Sequence, residues 1–230
     1  MHRAIGSHRI AAMTSFSLRS RITCRFGTLM LALALIGAAC PASSQAPDPA
    51  ARAPALTGLP LLKALRNGGY VLYFRHTSTD FGQNDEKMTG FEDCASQRNL
   101  TDAGRREARA IGASIRALGI PIGDVLASPF CRTRETGELI FGRAQATPAV
   151  RGGPAQADAD RYAELQKLLA TRVTPGVNLA ITSHGNPFVA VAGGPYLAEG
   201  EAAVVEPRGR DGFRVIARIR KDGWMALAEQ

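Results

Sequence analysis

Two apolar runs in this 230-residue chain each end on a histidine. Tyr70-Val71-Leu72-Tyr73-Phe74 leads into Arg75-His76-Thr77. Val177-Asn178-Leu179-Ala180-Ile181-Thr182-Ser183 leads into His184-Gly185-Asn186. Short, nearly continuous apolar runs of this kind read as strands buried on both faces. Open α/β sheets hold their ligands in the crevice at the C-terminal ends of such strands. Both histidines are therefore expected there, one with an arginine beside it, and that combination suits an anion.

Helical patterns alternate with the strands. Residues 60–67 read as a short helix stopped by Gly68-Gly69. Residues 77–100 are polar and form a long loop over the site. Thr101 stands where a helix needs an N-cap, and Ala108, Ile111, Ile115 and Leu118 follow at helical spacing up to Gly119. Val125–Ala127 reads as a strand, Ser128-Pro129 as a turn and residues 131–141 as a helix. Residues 142–157 read as loop, 160–171 as helix, and a further helix falls near 187–192. Two late strands are expected near 202–206 and 213–220. The expected fold is a three-layer α/β/α sandwich around a mainly parallel sheet, with no internal repeat.

The formal charge of +8 resembles a polyanion-binding signal, but Arg3, Arg9, Arg19, Arg21 and Arg25 lie in residues 1–40, which hold no acid. The remaining +3 is ordinary for a soluble domain. No nucleic-acid signature is seen. Those first forty residues run from basic, through apolar Phe26–Ala39, to small residues, the order of a secretory signal and short for a membrane span. Met13 is an alternative start. Gly37-Ala38-Ala39-Cys40 also resembles a lipoprotein cleavage box, so a lipid at Cys40 is one alternative and cleavage a little downstream the other. Residues 41–56 read as a flexible Pro/Ala-rich linker, and residues 57–230 as the folded domain. The expected location is exported, periplasmic or cell-envelope, touching membrane only through a lipid at Cys40.

Cys94 and Cys131 remain in the domain. In an oxidising compartment they are expected either to bridge or to stay as two buried thiols. They lack the further ligand-spaced partners a zinc site needs.

Arginine and histidine side by side can do phosphoryl chemistry. A neutral imidazole attacks phosphorus to give a phosphohistidine, and guanidinium binds phosphate oxygens as a fork. Arg132 falls in the first turn of the helix after Ser128-Pro129, where backbone amides favour an anion. Arg134 in the same helix reads as a solvated charge.

Taken together, these segments resemble the histidine phosphatase superfamily, the phosphoglycerate mutase-like fold. Arg75-His76 resembles its arginine–histidine signature, and Leu100-Thr101-Asp102-Ala103-Gly104 its Leu-Thr-x-x-Gly helix opening. Ser128-Pro129 with Arg132 and Thr136 resembles its Ser-Pro–Arg–Thr segment, and Ser183-His184-Gly185 its second histidine. The four occur in order over about residues 65–220. The resemblance implies a metal-independent phosphomonoester hydrolase with no cofactor, acting on a small phosphorylated substrate. His76 would be the nucleophile, with Arg75, Arg132 and His184 around the phosphoryl oxygens. It also leaves two alternatives: phosphoglycerate mutase-type transfer, or a non-catalytic anion-binding envelope protein.

Thr77 replaces the glycine usual after the first histidine, and its hydroxyl either binds phosphate or caps the loop. The proton donor does not follow the family pattern. Glu199, Glu201 and Asp160 are the candidates, with Asp158, Glu164, Asp80 and Glu86 further possibilities. A Cys94–Cys131 bridge would either staple the 77–100 loop beside the pocket or act as a remote tie. Arg98, Arg105 and Arg134 are either a basic rim or plain surface.

Overall fold

The computed structural model describes residues 55–151 and 161–229. The expected signal segment, Cys40 and most of the linker lie outside the described residues, as do Asp158 and Asp160. The packed chain already includes Leu56, whose N–H donates to Ile216 O at 3.0 Å.

Among the described residues, five α-helices and six strands follow one another: α1 Gly58–Asn67, β1 Val71–Arg75, α2 Asp102–Ala117, β2 Ile122–Ala127, α3 Cys131–Phe141, β3 Gln145–Ala146, α4 Ala163–Ala170, β4 Asn178–Ser183, α5 Gly185–Ala192, β5 Ala202–Pro207 and β6 Phe213–Ile219. The strands form one sheet in the order β3-β2-β4-β1-β5-β6. The first four are mutually parallel, whereas β5 runs antiparallel to β1 and to β6.

Residues of β1 alternate between two cores, as the pleat requires. Leu72 and Phe74 face Leu61 and Leu65 of α1, Ile111 and Ile115 of α2, Ile140 of α3 and Trp224. Val71 and Tyr73 face Leu165 and Leu169 of α4 and Phe188 of α5. The fold is thus the three-layer sandwich expected. Two details differ from the sequence reading. Residues 142–157 include the edge strand β3, too short to leave a pattern, and α4 begins at Ala163 rather than at Asp160. Among the described residues, no helix is long and apolar enough to cross a membrane.

The site follows from the middle of this sheet. The chain leaves β1 through α2 on one face and leaves the adjacent β4 through α5 on the other. That divergence is the switch point at which open sheets leave a crevice.

Candidate active site

Strands β1 and β4 are parallel neighbours paired Arg75 to Ser183 at their last residues. The next residue of each is a histidine, so both imidazoles emerge side by side. The His76 N–H donates to Ser183 O at 2.9 Å, and the two ring centroids lie 5.6 Å apart. Strand β2 pairs Ala127 with Thr182, so Ser128 and the start of α3 reach the same edge. Three strand ends thereby meet in one cavity of about 390 Å³ lined by Arg75, His76, Arg132 and His184. These are four of the candidates that the sequence offered, and the fold brings them together.

His76 is buried, and its Nδ1 lies 2.9 Å from Thr77 O. A carbonyl only accepts, so Nδ1 carries the proton and Nε2 keeps the lone pair. Burial, helped by the Arg132, Arg75 and Arg98 charges and opposed by the Thr77 carbonyl, brings His76 down to about 3. His184 is pushed well below the usual histidine range by burial first, then by His76 and the same three arginines. It shares a 2.8 Å hydrogen bond with Ser128 Oγ. Both rings are therefore neutral, and the positive charge of the cavity is carried by arginine.

The sequence left Arg98 open between rim and surface. The structure puts it in the cavity wall beside Arg75 and Arg132. Each of these three arginines has a buried Nε–H with no hydrogen-bond partner. Three guanidiniums lining one cavity concentrate positive charge there, a setting that suits acceptor oxygens. Arg75 is aimed by Leu197 O, which accepts from Nη1 at 2.9 Å, and its guanidinium stacks on Tyr196. That ring in turn occupies the space above Gly185, where a Cβ would lie 2.1 Å from it. Arg105 and Arg134 are not in the wall: they pair with Glu135 at 2.6 Å and Glu92 at 2.9 Å.

The candidate acids separate clearly. Glu199 accepts from Thr79 Oγ1 at 2.6 Å and lies 3.5 Å from Arg75 Nη2 and 3.8 Å from His76 Nδ1. It therefore sits on the Nδ1 side of the His76 ring, away from Nε2. Glu201 is turned away, held by Arg218 at 2.9 Å and by Ala198 N at 2.7 Å. Asp80, Glu86 and Glu164 are exposed and outside the cavity wall. Among the described residues, the carboxylate in the wall is Asp85, which the sequence reading passed over. It takes both prongs of Arg132 at 2.9 and 3.0 Å and the Arg98 backbone N–H at 2.9 Å.

Thr77, considered for phosphate binding, is a correction. It is fully buried and off the cavity, and its N–H donates to Thr136 Oγ1 at 3.3 Å. Thr136 Oγ1 also donates to Arg132 O at 2.7 Å. The pair therefore ties the His76 turn to α3.

Cys94 and Cys131 form a disulfide, with Cα atoms 5.7 Å apart. It fastens the loop bearing Asp85 and Arg98 to the first residue of α3, next to Arg132. Among the described residues, no cluster of three or more histidines, cysteines or acids could hold a metal ion.

Residues 71–162 match the family model described as the histidine phosphatase superfamily, branch 1. This part of the chain is similar to the histidine phosphatase superfamily. The match to that superfamily supports phosphatase activity in general. Three solved structures illustrate the similarity. The protein histidine phosphatase SixA complexed with tungstate is 21% identical, with a TM-score of 0.47 over 66% of this chain and 97% of that one. A phosphoserine phosphatase from Entamoeba histolytica in complex with phosphoserine is 11% identical, TM-score 0.47, over 67% and 98%. A mycobacterial glucosyl-3-phosphoglycerate phosphatase is 15% identical, TM-score 0.47, over 64% and 96%. Comparison with curated protein sequences gives no match.

Proposed function

We propose that the chain is a phosphomonoester hydrolase that works through a phosphohistidine on His76, using protein groups alone. The observation that carries this reading is the cavity wall: three guanidiniums beside a buried, neutral imidazole. That cationic wall suits the oxygens of a phosphoryl dianion. His76 Nε2 attacks phosphorus while Arg75, Arg98 and Arg132 draw off the charge that builds on the equatorial oxygens. His184, neutral and anchored by Ser128, completes the wall. Water then cleaves the N–P bond and regenerates neutral His76.

Two tests address this reading. Turnover of p-nitrophenyl phosphate and of a panel of small phosphoesters should be measured for wild type and His76→Ala. A phosphoenzyme trapped by rapid acid-free quenching should carry its label on residue 76. Wild-type turnover that persists in His76→Ala overturns the assignment. Isomer formation from a phosphorylated sugar acid, instead of free phosphate, would favour a mutase. Intact phosphate binding with no turnover of the panel would favour a binding protein.

The same reading places the enzyme outside the cytoplasm. Support comes from the basic–apolar–small order of residues 1–40 and from the disulfide, a bond that persists in oxidising compartments. A lipid on Cys40 would hold it at a membrane, and mass spectrometry of the mature N-terminus tests that.

A further inference from the structure

We infer that Asp85 is the acid that protonates the departing alcohol and then deprotonates the attacking water. This rests on the phosphatase reading above. The reaction needs a proton at the leaving oxygen, and among the described residues Asp85 is the one carboxylate in the cavity wall. Glu199 lies on the Nδ1 side of His76, away from the attacking Nε2, and Glu201 is engaged by Arg218.

In the structure Asp85 occupies Arg132 with both oxygens. Arg132 is almost fully buried, its side chain 5% exposed, so a counter-charge there keeps the guanidinium from standing alone. A phosphoryl dianion needs the same guanidinium. When it binds, two anions meet on one cation, and the like charge favours the protonated form of the carboxyl. Substrate thus loads the acid at the moment a proton is required. Asp85 stays within reach because its loop is pinned by the Arg98 N–H and by the Cys94–Cys131 bond.

In the first step His76 Nε2 forms the N–P bond, the bond from phosphorus to the leaving oxygen breaks, and that oxygen takes the Asp85 proton. Alcohol departs, leaving Asp85 ionised. In the second step Asp85 removes a proton from water, the water oxygen forms its bond to phosphorus and the N–P bond breaks. Phosphate leaves, His76 is neutral again, and Asp85 is protonated for release of that proton to solvent.

The test compares leaving groups. Wild type, Asp85→Asn and Asp85→Glu are assayed on p-nitrophenyl phosphate, whose leaving group needs little help, and on glycerol phosphate, whose alkoxide needs a proton. For Asp85→Asn, kcat/KM on glycerol phosphate should fall about a hundredfold or more, and on p-nitrophenyl phosphate less than about tenfold. Asp85→Glu should recover much of the glycerol phosphate rate. Asp85→Ser carries the same comparison should the asparagine variant not fold. Equal losses on both substrates, or no loss on either, overturn the acid while leaving the phosphatase reading intact. Failure of the wild type on both substrates removes the phosphatase reading, and this inference with it.

Discussion

Gly104 on α2 packs directly on the carbonyl of Ser78: a Cβ built there would lie 2.1 Å from Ser78 O. The same carbonyl accepts from Thr101 N at 3.0 Å, and Thr101 Oγ1 caps the helix by accepting from Gly104 N at 2.9 Å. Ser78 is two residues past His76. The Leu-Thr-x-x-Gly pattern is therefore a docking device that sets the helix start against the strand end bearing His76. Backbone cannot swing aside as a side-chain tip can. Gly104→Ala should cost roughly 1–3 kcal/mol of stability and lower kcat by displacing His76. Gly90→Ala, whose Cβ meets nothing within 4 Å, is the control and should be near neutral. Denaturant melts of both variants decide the matter; equal midpoints would refute the docking role.

The fork of Arg132 gives a second prediction. Its two Nη groups make parallel bonds to one carboxylate, and the same two-pronged contact is what a phosphoryl group would use. Lysine keeps the charge and loses the fork. Arg132→Lys should lower kcat/KM on phosphoesters by roughly a hundredfold and also lower the melting temperature, because the buried fork to Asp85 and the bond to Arg98 O are lost. Steady-state kinetics beside a melting curve separate the two effects. A variant with near wild-type kcat/KM would show that the bidentate contact is not used in the transition state.

How much of this was readable from residues alone depends on how far each contact reaches. The pairing of His76 with His184 was legible because strand ends are local features, and parallel strands in register carry both residues to one edge. Arg132 was legible for a similar reason, sitting in the first turn of a helix announced by Ser128-Pro129. Asp85 was not, and Arg98 only as one of several rim candidates, because they lie on a 24-residue polar loop whose course is set by irregular contacts within the loop and one bond beyond it. The Thr79–Leu100 bridge, the bond from Asn99 N to Gln83 Oε1 and the disulfide fix it. None of these has a periodicity to read. Glu199 and Glu201 flank Gly200, which turns the chain with φ +76°. Which of them faces Arg75 is decided by Arg218 on β6, seventeen residues downstream of Glu201.

A third prediction concerns acid. Folded, His76 gains its proton only near pH 3, whereas in an unfolded chain it does so near 6.5. Below about pH 6.5 the unfolded chain therefore binds a proton that the folded one refuses, and acid favours unfolding. This stabilisation is complete above the unfolded value and drains away as pH falls toward 3; His184 acts in the same direction. Urea melts from pH 7 to pH 4 should show stability falling, with a shallower fall in His76→Gln. Nitrogen NMR at about pH 5 should still find His76 neutral, with its proton on Nδ1 facing Thr77 O. A His76 that titrates near 6.5 would contradict the buried, arginine-ringed setting.

The disulfide supplies the last prediction, and it separates stability from chemistry. Cys94 and Cys131 are 37 residues apart, so the bond closes a long loop in the unfolded chain. Its loss should cost about 4 kcal/mol by loop-closure entropy and lower the melting temperature by roughly 10 °C. A remote tie would do no more than that. This bond, however, joins the loop carrying Asp85 and Arg98 to the residue before Arg132, where Gln97 Oε1 also accepts from Cys131 N at 3.0 Å. Releasing it frees two cavity-wall residues at once. At temperatures where the Cys94→Ser/Cys131→Ser protein remains folded, KM for phosphoesters should rise several-fold and kcat should fall. Unreduced peptide mapping establishes the bond in wild type, and kinetics of the folded double variant test its second role. Unchanged KM and kcat in that variant would leave the bond a stability device alone.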